Sequence, residues 1–277
     1  MCLAKSIVEA LVCDESLSVK EFGSKAYTIC GDSMKVMQGF PDDSIDCVIT
    51  DPPYFLSSGG ITCVSGRMVS VNKGSWDDAI TLTELQYFNR KWMSEVHRVL
   101  KPGGSIWVSG TLHNYFSLGM VLRELGFKVL NDIVWEKPAP PPNLSCRTFT
   151  HSSELLIWAA KLDKTGKHKY TFNYRKMREM NGGKQMKNIW KISPPRKVEK
   201  IHGKHPTQKP IALIERCVLA ATNEGELILD LFAGSHTTGV VALRHQREYI
   251  GIEQELEYDS IGSLRLQSEL DRIGEST

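Results

Sequence analysis

Short apolar runs recur along the chain at 26–30 (AYTIC), 45–50 (IDCVIT), 105–110 (SIWVSG), 127–135 (FKVLNDIVW), 154–160 (ELLIWAA), 226–230 (ELILD) and 248–253 (EYIGIE). Their length, β-branched content and flanking turn residues predict strands. Several lack any polar alternation, so both of their faces are expected to be covered. Between them, 81–100 (TLTELQYFNRKWMSEVHRVL) spaces its apolar residues by three and four, with Thr83 as the expected N-cap and KPGG as the stop. HNYFSLGMVLRELG (113–126) and PIALIERCVLAAT (210–222) also read as helices, the second with Pro210 at its first helical position. Such alternation predicts a doubly wound, mostly parallel α/β sheet.

Three segments break the rhythm. Residues 55–82 follow TDPPY, are rich in Gly and Ser, and exceed an ordinary strand-to-helix connection, so a mobile or ligand-binding loop is expected. The stretch EKPAPPPNLSCRTF (136–149) is stiffened by four prolines into an extended surface connection. The third, 161–204, carries fourteen Lys and Arg against three acids, a balance of +11, while the remaining residues sum to −9 and the whole chain to +2. A basic segment on an acidic body is the footprint of a polyanion binder, because each cation set against a phosphate releases counterions. Tyr170, Phe172, Tyr174 and Trp190 lie among these charges; two or three are expected to form a small core and the rest to be free to stack on bases.

Composition changes the picture little. The 277 residues are 41% hydrophobic and 24% charged, ordinary for a globular protein with one large domain. No apolar run approaches a membrane span and no secretory leader is visible, so a cytoplasmic protein is expected. Seven cysteines (2, 13, 30, 47, 63, 146 and 217) are scattered without a C-x-x-C pair, and HGKH (His202, His205) lacks a second ligand pair, so no metal is expected.

The run ILDLFAGSHTTG (228–239) is a strand ending in an acid and a loop of small residues, placed where open α/β sheets bind ligands. GSHTTG has P-loop spacing, yet Val240 and Val241 stand where Lys and Ser or Thr would hold phosphates and Mg²⁺. The second glycine of a dinucleotide fingerprint is also absent. Glu253 ends the next strand, where a carboxylate can accept both hydroxyls of a ribose. A nucleoside without phosphates fits this pair, and S-adenosylmethionine (SAM) is such a ligand.

VITDPPYF (48–55) supplies the reaction. Two prolines remove backbone donors and stiffen the turn, leaving a rigid cluster of acceptors. If Asp51 and the carbonyl of Pro52 each accept one N–H of an aromatic amine such as that of adenine, the nitrogen lone pair is directed toward an electrophile. Tyr54 would stack on the base, which must leave the duplex to be reached.

Together, TDPPY, DLFAGSHTTG, HPTQKP (205–210), LKPGGSIWVSG and FTHSSELLIW resemble the amino-methylating DNA methyltransferases of the permuted β class, over most of residues 26–260. The resemblance implies a Rossmann-like methyltransferase sheet in two halves, 1–160 with the catalytic turn and 205–277 with the SAM loop, around a basic target recognition insertion at 161–204. It implies adenine-N6 methylation in a restriction-modification setting, on double-stranded DNA, with one close type tolerating single strands and relatives often dimeric. Carried over by motif, Asp51, Pro52, Pro53 and Tyr54 form the catalytic turn. Asp230, Phe232, Ala233, Gly234, Ser235, His236, Thr237 and Thr238 form the SAM loop, with Glu253 on the ribose, Asp32 and Ser33 at the adenine edge, and Thr207 and Lys209 near the methionine end. Lys184, Lys187, Lys191, Arg196 and Lys197 are the expected DNA contacts.

The chain departs from that family at His236, where a glycine usually stands. One expectation is a loop relaxed outward, with the ring in solvent and SAM bound somewhat more weakly; the other is badly impaired SAM binding. A cytosine-N4 enzyme and a weakly active or inactive DNA-binding homologue are the alternatives.

Overall fold

A computed structural model describes residues 2–11, 17–55, 61–64, 67–70, 78, 80–163, 165 and 169–275. Cys13, Lys164, Lys167 and most of the Gly- and Ser-rich stretch 55–82 lie outside the described residues. The elements follow as α1 (Leu3–Leu11), β1 (Ser18–Phe22), β2 (Ala26–Cys30), α2 (Ser33–Val36), β3 (Ile45–Thr50), the antiparallel pair β4 (Ile61–Val64) and β5 (Arg67–Ser70), and α3 (Leu82–Val99). Next come β6 (Leu100–Gly110), α4 (Tyr115–Glu124), β7 (Lys128–Glu136), β8 (Ser153–Ala160), α5 (Tyr174–Met180) and β9 (Ile189–Lys191). The chain closes with α6 (Ile211–Ala221), β10 (Leu227–Asp230), α7 (Thr237–Arg244), β11 (Glu248–Glu253) and α8 (Leu256–Gly274).

Nine strands form one sheet in the order β1-β2-β11-β10-β3-β6-β8-β7-β9. The centre from β2 to β6 is parallel; β1 runs against β2, and β8 runs against both β6 and β7. All seven apolar runs become strands. The two additional strands sit at the sheet edges, where five half-polar residues (SVKEF) and three residues (IWK) carry too weak a pattern to announce themselves.

Successive residues of the central strands feed two separate cores. Val48, Ile106, Val108 and Ile157 pack with α1, α3 and α4 through Ile7, Trp92, Val96 and Leu122. Cys47, Ile49, Trp107 and Trp158 face the other way, toward Leu213, Val218, Val241 and Leu266 of α6, α7 and α8. Strands covered on both faces are the reason the sequence shows continuous apolar runs there.

Two helix starts differ from expectation. Thr81, not Thr83, caps α3: its side chain accepts from the Glu84 amide while the Glu84 carboxylate accepts from the Thr81 amide. Pro210 is the N-cap of α6 with extended ψ of 142°, one position earlier than expected.

The basic block is woven into this fold. β9 pairs in parallel with β7, and Trp190 lies 6.1 Å from Trp107, which is itself stacked on Trp158 at 4.8 Å. Tyr170 and Phe172 pack on Trp158, Met177 is buried, and the Asn173 side chain donates to the Leu219 and Thr222 carbonyls at the end of α6. Of its aromatic residues, Trp190 is buried and Tyr170 half-buried against the sheet, while Phe172 and Tyr174 remain exposed. Removing the buried one should unfold the whole sheet more easily: Trp190→Ala, at a position 4% exposed, is expected to cost about 3–5 kcal/mol in urea unfolding.

Candidate active site

The two motifs meet because β3 and β10 are adjacent and parallel, with Cys47 opposite Ile228 and Val48 opposite Leu229. Both strands end at the same sheet edge, so the DPPY turn and the 231–236 loop leave side by side. The Thr50 hydroxyl donates to Asp230 Oδ1 at 2.9 Å and joins the two strand ends.

In the turn, both oxygens of Asp51 are engaged. The Tyr54 hydroxyl donates to Oδ1 at 2.6 Å and the Lys209 ammonium donates to Oδ2. Lys209 also stands 3.5 Å from Glu154 Oε2, and Lys137 donates to Glu154 Oε1 at 2.5 Å. Burial alone would lower the Lys209 pKa, but Asp51 and Glu154 raise it above the ordinary lysine value. Burial likewise opposes ionisation of Glu154, and Lys209 and Lys137 hold its pKa below the usual range. A row of alternating charges thus runs from the turn through Lys209 and Glu154 to Lys137. Lys209 is bound to the DPPY turn as well as lining the space beside it, and Tyr54 is a buried partner of Asp51 with Lys209 5.5 Å from its ring centre. Glu154 escaped sequence reading because a single acid at the head of an apolar strand carries no spacing signal.

The loop after β10 is shaped by two acids. Glu253 accepts from the amides of Gly234 at 2.7 Å and Glu255 at 2.9 Å, and burial pushes its pKa up. Gly234 has φ +51°, and a β-carbon there would lie 3.0 Å from the His205 ring. Asp230 accepts from Thr50 and, at 2.7 Å, from Thr238; burial nonetheless raises its pKa to about 6. Phe232 forms an aromatic wall with Trp92 and Phe88, 5.8 and 6.1 Å away, and Phe55 packs edge-on to Phe88. Asp32 caps α2 by accepting from the Met34 amide.

These residues enclose one cavity of about 320 Å³. Asp32, Ser33, Thr207, Lys209, Asp230, Phe232, Ala233, Gly234, Ser235, Thr237, Thr238 and Glu253 all reach its wall, as do Asp51, Pro52, Pro53 and Tyr54. His236 does not. Its ring is fully buried beneath the loop, which overturns the expectation of a solvent-facing ring. His205, Tyr258, Phe88 and Trp107 line the cavity too; His205 and Trp107 lie in the quoted HPTQKP and LKPGGSIWVSG segments without being named for the site, and Phe88 and Tyr258 belong to no motif. Lys184, Lys187, Lys191, Arg196 and Lys197 are all exposed, away from the cavity wall. The histidines of HGKH diverge, His202 toward Ser268 and His205 toward Tyr258.

The family model described as DNA methylase matches residues 45–262, which span both motifs and the cavity between them. The chain belongs to this DNA methylase family. It is 52% identical to the Type II methyltransferase M2.DpnII of Streptococcus pneumoniae over 89% of this chain and 91% of that protein. A second relative, M2.LlaDCHI of Lactococcus lactis subsp. cremoris, is also 52% identical, over 87% and 89%. Among solved structures, the M1.HpyAVI–SAM complex superposes with a TM-score of 0.65 at 26% identity, covering 87% of this chain and 98% of that one. The cytosine-N4-specific PvuII methyltransferase shares the fold, with a TM-score of 0.69 at 22% identity over 93% and 98%. The chain is a SAM-dependent DNA methyltransferase. Among its described residues, no helix is long and apolar enough to cross a membrane.

Asp230 makes stability depend on pH in a stated direction. Because its folded pKa lies above the unfolded value, its favourable contribution is full below about pH 4 and is lost as pH rises through about 6. Asp230→Asn is therefore expected to raise the melting temperature at pH 8, by a gain on the order of 2–3 kcal/mol that disappears below pH 4. A melting series from pH 4 to 8 measures it.

Proposed function

We propose that the enzyme methylates the N6 amino group of an adenine extruded from DNA. The observation that carries this reading is the Asp51 carboxylate, fixed by Tyr54 and Lys209 on the wall of the cavity that Phe232 and Glu253 also line. The cavity fits SAM: an acid at a strand end suits the ribose, an aromatic wall suits the adenine ring, and Asp32 and Ser33 line it as well. Bound SAM supplies a methyl group on a positively charged sulfur.

The chain's own groups do the rest. Each carboxylate oxygen has two acceptor sites, so Asp51 keeps room for an amino N–H after binding Tyr54 and Lys209. The Pro52 carbonyl takes the second N–H, and the nitrogen lone pair is left facing the methyl group. Nitrogen forms a bond to carbon as the carbon–sulfur bond breaks, and the extra proton departs to Asp51 or water. Rigid placement and hydrogen bonding supply the catalysis, because neither partner needs covalent activation.

Lys184, Lys187, Lys191, Arg196 and Lys197 are proposed to track phosphates, supported by their exposure and the +11 balance of their segment. Phosphate contacts of this type also suit single-stranded DNA, which spares the cost of extrusion. Tyr87, Leu112, Phe116 and Met120, large apolar side chains at least half exposed on and between the packed helices α3 and α4, support pairing of two copies through that face.

Asp51→Asn is expected to abolish methyl transfer to DNA while SAM affinity in titration calorimetry changes by no more than a few-fold. Mass analysis of nucleosides from methylated DNA should give N6-methyladenine; N4-methylcytosine would replace this reading with the cytosine enzyme. Replacing the five basic residues by Gln should weaken DNA binding on all sequences and flatten the log–log salt slope by up to about 4.

A further inference from the structure

Methyl transfer does not call for a histidine at position 236, yet the fold makes a place for one. His236 has φ +53° and ψ +38°, a conformation free to glycine and costly to a side chain. Its ring sits in a slot opened by two glycines. A methyl group at Gly262 on α8 would lie 2.0 Å from its Cδ2, and one at Gly251 on β11 would lie 2.5 Å from its Nδ1. Nδ1 and the Tyr249 hydroxyl are hydrogen-bonded at 3.0 Å, with the rings edge to face. Nε2 is 3.3 Å from Asp259 Oδ1, a close contact out of hydrogen-bond alignment, and Lys20 donates to the other Asp259 oxygen at 2.6 Å. From the same helix, Arg265 donates to the Ser235 carbonyl at 2.5 Å, the Ser235 hydroxyl at 2.9 Å and the Thr237 hydroxyl at 2.8 Å. The loop is therefore gripped from below on both sides of His236.

We propose that His236 is a positioning residue for the cofactor. Locked between Gly251 and Gly262, it pins residues 234–238 to α8 and β11 in the shape that receives SAM, replacing backbone freedom with a side-chain anchor. The inference rests on residues 230–239 being the SAM loop. It implies that histidine and the two glycines form a matched set, so restoring glycine at 236 empties the slot and loosens the loop.

The test is SAM titration, melting without SAM, and initial-rate kinetics on wild type, His236→Gly, Gly262→Ala, the double variant, and Glu253→Ala. His236→Gly and Gly262→Ala are each expected to weaken SAM binding about tenfold, a typical coupling for residues in contact. KM for SAM should rise with it, while KM for DNA and kcat at saturating SAM stay within about twofold of wild type. The double variant should bind SAM no more weakly than His236→Gly alone, because the imidazole that the added methyl on α8 would strike is gone. Unchanged or tighter SAM binding by His236→Gly overturns the proposal. So does a double variant whose losses multiply, or a lowered melting temperature with SAM affinity intact. Undiminished SAM affinity in Glu253→Ala would instead bring down the pocket assignment, and the proposal with it.

Discussion

The parallel pairing of β3 with β10 is the constraint on which the site depends. Asp51 and Leu231 follow strands that lie 180 residues apart in the chain, yet the shared register ends both strands at one edge, and the Thr50 hydroxyl ties them through Asp230. The chain builds outward on either side of this pair, to β6 on one flank and to β11 and β2 on the other. A crevice at the carboxyl ends of such strands is where backbone groups are left without sheet partners and where ligands can use them. Sliding β10 by one residue would turn its apolar side chains to the wrong core and separate the two motifs.

Charge is buried next to that crevice at a cost the fold accepts for function. Asp51, Lys209, Glu154 and Lys137 alternate in sign along a row that starts at the turn, and Glu154 and Lys209 are held ionised by their neighbours against desolvation. Buried pairs of this kind add little net stability, but losing one partner strands the other. Their value in the proposed reaction is geometric: Tyr54 and Lys209 fix the Asp51 carboxylate before any substrate arrives. Asp230 follows a different logic, because its hydrogen-bond partners are neutral hydroxyls and an amide, and its pKa rises to about 6 instead of falling.

α8 packs beneath the loop that follows β10. Arg265 and Asp259 are both buried, and each reaches a residue of the loop above. Burial lowers the Arg265 pKa to about 10. Asp259, though burial opposes its charge, is drawn down to about 2 by His236 and Lys20. The loop's shape is thus imposed by a helix that follows it in the chain and carries no motif of its own.

What the sequence determined by itself follows from how local the signals are. Doubly covered strands must be apolar along their length, a proline-stiffened turn must show its prolines, and an electropositive surface must show its lysines, so the seven inner strands of the large sheet, both motifs and the basic block were legible. The capping residue of α3 was misplaced by two positions because Thr81 and Thr83 are chemically equivalent until Glu84 selects one. The structure alone decided where long side chains terminate. The bond from Lys209 to Asp51 and the place of Glu154 beside them could not be foreseen; His236 was expected in solvent and is fully buried. Each outcome depends on groups supplied by remote segments: a carboxylate on β8, or two glycines whose only contribution is empty space. A missing side chain leaves no periodicity, and only the packed tertiary structure shows what fills the room it leaves.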